Sequence, residues 1–119
     1  MSRIKFRARP GFGSQELLIE LCGDHRAVGY PNVQSLLQRS LNSKPAPHPD
    51  PGVVIAAIPM DRFISYWGYG GNFYEIDDDW GGLFITAPKN NAQVISDVEA
   101  ALLSSGVFEK ESVNFADYA

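Results

Sequence analysis

Polar and apolar positions alternate strictly at the start of the chain. Ile4, Phe6 and Ala8 fall on one side and Lys5, Arg7 and Arg9 on the other. A period of two predicts a half-buried strand over residues 3–9, broken by Pro10-Gly11-Phe12-Gly13. Next, Ser14 stands at an N-cap position, Glu16 in a first turn and Gly23 at a stop, while Leu17, Leu18, Leu21 and Cys22 share a helical face. A short helix over 14–22 is therefore expected, with a strand through Leu17, Ile19 and Leu21 as the alternative. Pro31 and Asn32 open a clearer helix whose stripe is Val33, Leu36, Leu37 and Leu41, ending at Asn42-Ser43. Residues 43–52 carry a proline at every second position from Pro45 to Pro51. Proline donates no ladder hydrogen bond and favours extended surface chain, so this is expected to be a linker.

From Val53 the pattern turns to short apolar and aromatic runs punctuated by glycine. Val53–Ile58, Phe63–Trp67, Phe73–Ile76 and Leu83–Thr86 read as strands, with a turn at 68–72. A last helix follows Pro88, with Asn90 as N-cap and Gln93 in the capping-box position. Val94, Ile95, Val98, Ala101 and Leu102 form its inner face, Gly106 its left-handed stop, and Val107–Phe115 a closing strand. The order β-α-α-β-β-β-β-α-β predicts one α+β domain over residues 1–119, a mostly antiparallel sheet of about five strands with two or three helices.

The 119 residues suit a single core, and 45% hydrophobic content is enough to form one. No apolar run approaches the roughly 20 residues that cross a bilayer, and residues 1–9 lack the apolar stretch of a secretory signal. With one cysteine, Cys22, no internal disulfide forms, and a cytoplasmic location is expected. Residues 1–44 carry seven Lys/Arg against three acids, whereas residues 45–119 carry three against eleven. In a domain this small that predicts two oppositely charged surface patches.

Candidate chemistry is sparse. Cys22, Asp24 and His25 are close in sequence, but Cys22 falls on an apolar face, where an inert thiol is expected. His48 sits alone in the proline-rich stretch, and two histidines with one cysteine argue against structural zinc. Gly68-Tyr69-Gly70-Gly71 lacks the helix and lysine of a phosphate loop. The segment that stands out is Tyr74-Glu75-Ile76-Asp77-Asp78-Asp79-Trp80. In a strand, Glu75, Asp77 and Asp79 share one face and repel one another unless something positive compensates. A hard cation such as Ca²⁺ or Mg²⁺ is one answer, a solvated strand end a second, and a basic partner surface the third. Tyr66, Trp67, Tyr69, Phe73, Tyr74 and Trp80 bracket the acids, and Tyr and Trp dominate interface hot spots. Trp67 and Phe73 are expected in the core, Tyr69 exposed. The negative charge disfavours nucleic acid on this face, leaving only the Arg3/Lys5/Arg7/Arg9 stripe for it.

The stretch WGYGGNFYEIDDDWGGLFITAPKNN from Trp67 to Asn91, with the helix after it and the Ser105-Gly106-Val107-Phe108 turn, resembles small immunity proteins of bacterial polymorphic toxin systems. Those of contact-dependent growth inhibition are the nearest image. The likeness spans about the C-terminal half. It implies a cytoplasmic, non-catalytic protein without a cofactor that binds a cognate toxin domain, often a nuclease, and occludes it. On that expectation Glu75, Asp77, Asp78 and Asp79 are electrostatic contacts and Tyr69 and Trp80 anchors. A small metal-dependent enzyme using the acidic cluster and a nucleic-acid adaptor using the basic N-terminal strand are the alternatives.

Overall fold

The strict alternation of the first residues becomes strand β1 (Ile4–Pro10) in a computed structural model that describes residues 3–11, 16–46, 63–79 and 81–118. The expected strand at 53–58, most of the proline-rich stretch with His48, the N-cap position Ser14, and Trp80 lie outside the described residues. β2 (Leu17–Leu21) follows, then α1 (Val33–Leu41), β3 (Lys44–Pro45), β4 (Phe63–Tyr69), β5 (Asn72–Asp79), β6 (Gly82–Thr86), α2 (Asn91–Ser104) and β7 (Phe108–Lys110). A 3-10 turn at Phe115–Tyr118 closes the described chain. Among the described residues no helix is long and apolar enough to cross a membrane.

The seven strands form one sheet in the order β3-β4-β5-β6-β2-β1-β7. All neighbours are antiparallel except β1 and β7. That exception follows from the connections. The α1 crossover joins β2 to β3 and the α2 crossover joins β6 to β7, and a helical crossover returns the chain in its original direction. The α+β expectation therefore holds with two helices and a larger, mixed sheet. Both helices pack against each other and cover one face. On that face lie Phe6 and Ala8, Ile19 and Leu21, Trp67, Tyr74 and Ile76, Leu83 and Ile85, and Phe108, all buried against Val33, Leu36 and Leu37 of α1 and Val94, Ile95, Val98 and Leu102 of α2.

Several local expectations are corrected. Residues 17–21 are a strand and not part of a helix: Ile19 and Leu21 point into the core at period two, and pairing with both β1 and β6 satisfies the backbone. Lys44–Pro45 belongs to the sheet, because the ladder needs only carbonyls from the proline while Ala46 N–H donates to Tyr66 O at 2.8 Å. The closing strand stops at Lys110, well short of Phe115. Phe73 is exposed, and its neighbour Tyr74 is the aromatic in the core. The turn between β4 and β5 is the two-residue Gly70-Gly71, both at positive φ (53° and 82°), the hairpin geometry that glycine adopts without strain. It fixes the register that sends Tyr74, not Phe73, inward.

Candidate functional site

The uncovered face of the sheet carries the side chains of opposite parity. On β5 these are Phe73, Glu75, Asp77 and Asp79; on β6, Gly82, Phe84 and Thr86; on β4, Ile64, Tyr66 and Gly68. The expected grouping of Glu75, Asp77 and Asp79 is thus present, spaced about 7 Å apart along one strand. Glu75 accepts a hydrogen bond from the Thr86 hydroxyl directly across the ladder at 3.0 Å. Two glycines set the aromatic floor, one across the ladder from its ring and one two residues before its ring on the same strand. Phe73 faces Gly68 and its ring lies 3.3 Å from where a Gly68 Cβ would stand; the Phe84 ring lies 2.9 Å from the same point on Gly82. Each glycine leaves room for a ring to lie flat on the backbone, so the face has an aromatic surface beside its acids.

The other end of this face is charged but balanced. Arg7 Nε donates to Glu111 Oε2 at 2.9 Å and its Nη1 reaches Glu20 Oε1 at 3.4 Å; Arg9 Nε donates to the same Glu20 oxygen at 3.0 Å. The hydrogen bond that it donates to Glu111 holds the Arg7 guanidinium above its ordinary pKa. Arg9 is 8% exposed, its guanidinium 6.0 Å from the Phe84 centroid. Arginines that read as a basic stripe in the sequence are thus committed to carboxylates of β2 and the segment after β7. The other carboxylates of the face, Glu75, Asp77 and Asp79, are on β5.

Asp78 separates from its neighbours. It points to the helix side, where its Oδ1 lies 2.7 Å from His25 Nε2 and accepts from Arg26 Nε at 3.1 Å. Expected from sequence as a partner contact, it braces the loop between β2 and α1 and stays partly exposed. Arg26 also sits 5.9 Å over the Phe63 ring and donates to the Asp78 carbonyl. Tyr69 also departs from expectation. It is half-buried on the helix side, because the tight Gly70-Gly71 turn keeps it within β4, and its hydroxyl donates to Asp97 Oδ2 on α2 at 2.7 Å. Burial, reinforced by that bond to Asp97, raises its phenol well above the usual range. Trp80 lies outside the described residues.

The cysteine and histidine noted in the sequence take different surroundings. His25 is bound to Asp78. Burial pushes the Cys22 thiol up, with Glu111 and Glu20 adding to this and Arg7 opposing it, the reverse of what an activated thiolate needs. Among the described residues no three His, Cys, Asp or Glu side chains come together to hold a metal ion. The spacing of about 7 Å along β5 keeps Glu75, Asp77 and Asp79 from converging, and alternation places Asp78 on the opposite face.

Sequence reasoning missed Phe84 and Arg26, and weighed His25 only beside Cys22 and not with Asp78. Phe84 follows Gly82 by two residues, a same-face spacing that marks a ring over a glycine once the strand is known. His25 and Arg26 left no local signal, since Asp78 is more than fifty residues away in the chain. No protein-family model, curated protein or solved structure matches the chain.

Proposed function

We propose that this chain is an immunity-type inhibitor, a cytoplasmic protein that binds the toxin domain of a bacterial polymorphic toxin and blocks its active site or substrate path. The observation that carries this reading is the uncovered face of β4, β5 and β6. Three carboxylates, Glu75, Asp77 and Asp79, lie there beside the exposed ring of Phe73 and the half-exposed ring of Phe84, with Lys44 of β3 at the far edge and the arginines of β1 at the other. Such a surface offers a partner apolar area at its centre and rewards basic groups around it. Nuclease toxins, whose clefts bind phosphates, supply that chemistry. The contact set is then Glu75, Asp77 and Asp79 with Phe73 and Phe84, while Asp78 and Tyr69 belong to the fold.

The reading expects a neighbouring gene for a large exported protein that ends in a toxin domain, and the test is calorimetric and kinetic titration against that domain. Wild type is expected to bind at nanomolar strength, roughly −12 kcal/mol. The Glu75→Lys/Asp79→Lys double variant should associate at least about tenfold more slowly at low salt, and the difference should shrink in high salt. Absence of a complex with wild type defeats the immunity reading. Unchanged association of the double variant defeats the choice of face.

A further inference from the structure

Along α1 and its cap, Asn32, Ser35, Leu36, Arg39 and Ser40 recur three and four residues apart, a spacing that places them on one helical face. That face borders a cavity of about 540 Å³, bounded on its other side by Ser104, Ser105 and Val107 at the end of α2. Leu36, which is buried, gives it an apolar wall together with Pro31 and Val107. Among the described residues no Asp or Glu lines it.

Arg39 is the informative residue. Arg7, Arg9 and Arg26 are paired with carboxylates. Arg39 makes no hydrogen bond or ion pair among the described residues, so its fork of N–H donors is unclaimed. Ser35 and Ser40 add hydroxyls with no partner among the described residues, and Asn32, whose Oδ1 accepts from Ser35 N–H, keeps Nδ2 as a donor. The last carbonyls of a helix carry negative partial charge, which opposes an anion. At the end of α2 they are already bonded. Ala101 O accepts from Ser104 Oγ at 3.0 Å, Leu102 O from Ser105 Oγ at 2.6 Å and Leu103 O from Gly106 N–H at 3.3 Å. What remains is a cavity rich in donors with one positive charge, in a chain whose net charge is −4.

We propose that this cavity binds a small organic carboxylate, a monoanion on a short apolar body. A carboxylate matches the planar guanidinium fork, and its single charge matches the one cation of the lining, whereas a phosphate dianion needs a second. Pro31, Leu36 and Val107 take the apolar body, and Ser35, Ser40 and Asn32 supply the further donors. The inference is independent of the acidic face, because the cavity lies in the helix layer on the other side of the sheet.

The same chemistry comes from a free acid or from an acidic side chain of a partner, and the test separates them. Nitrogen-15 NMR of the full chain is followed during titration with 3-methylbutanoate, its uncharged amide, inorganic phosphate and N-acetyl-glutamate α-amide. With 3-methylbutanoate the amides of Ser35, Leu36 and Val107 and the Arg39 Nε–H should shift saturably, half-way at about 1 mM. The uncharged amide should bind at least about tenfold more weakly, since it loses the charge-assisted pair. Arg39→Gln, at an exposed position, should bring the acid down to the level of its amide and leave the amide unchanged. Equal binding by N-acetyl-glutamate α-amide assigns the site to a partner's acidic side chain; its exclusion assigns it to a free acid. No saturable shift, equal binding of acid and amide by wild type, or tighter binding of phosphate overturns the proposal without recourse to any variant.

Discussion

Tyr74 is the largest fully buried side chain, at 1% exposure, and its hydroxyl is the polar atom the core has to accommodate. It lies 2.6 Å from the Ser43 hydroxyl, which in turn donates to the Leu37 carbonyl at 3.3 Å. With the Ser43 proton directed at Leu37, Tyr74 is the donor to Ser43, and the chain of bonds has one direction. Removing its two ends should therefore differ. Ser43→Ala strands the phenolic O–H in the core and should cost about 1–3 kcal/mol, whereas Tyr74→Phe leaves Ser43 bonded to Leu37 and should cost about 0.5–1.5 kcal/mol. Urea denaturation of both variants checks the order. A larger loss from Tyr74→Phe would reverse the direction assigned to the bonds.

At the level of elements, the two helices began from sequence signals of equal appearance and differ in outcome. Asn32, where the sequence opens α1, caps it, its Oδ1 accepting from Ser35 N–H at 3.0 Å, and Asn42 closes it in the left-handed conformation. Asn90, with the same apparent role for α2, adopts φ 53° and makes no side-chain cap bond; Gln93 donates to Asp97 and forms no capping box. The residue that matters is the next one. Asn91 accepts from Leu17 N–H and donates to Leu17 O and Ala87 O, all at 2.9 Å, fastening the start of α2 to the first residue of β2. Asn91→Ala should thus cost about 2–4 kcal/mol, since it leaves three backbone groups without that partner. Asn90→Gly should be neutral or slightly stabilising, because glycine adopts positive φ freely. Thermal melts decide this, and equal effects at the two positions would contradict it. The contrast also marks what a sequence can disclose. Helix faces, the α1 cap and the shared face of Glu75, Asp77 and Asp79 depend on neighbours a few residues away, and they were legible. The β2 strand, the Asn91 fastening and the departure of Asp78 toward His25 depend on partners brought in by the sheet order, which no local pattern encodes.

Across the whole molecule, three tyrosines tie the helix side to the sheet. Tyr30 donates to the Cys22 carbonyl at 2.8 Å and anchors the β2–α1 loop, Tyr69 joins β4 to α2 through Asp97, and Tyr74 joins β5 to the chain leaving α1 through Ser43. Burial is the first cause that raises the phenol of each, pushing Tyr30 up to about 12. An unfolded tyrosine ionises near pH 10. Above that pH the unfolded chain releases these protons while the folded chain retains them, so the unfolded state binds fewer protons and stability falls as pH rises. The stabilisation is whole below about pH 10 and is lost as pH climbs through the folded values, at about 12 for Tyr30 and higher for Tyr69. Urea midpoints taken from about pH 8 to pH 11.5 should therefore stay level at first and then decline steeply. Tyr30→Phe, which has no proton to lose, should decline less steeply than wild type over the same range, apart from its fixed loss of one hydrogen bond. Parallel curves for the two proteins would mean that Tyr30 ionises as readily in the folded chain as in the unfolded one, and that its tie to Cys22 is absent in solution.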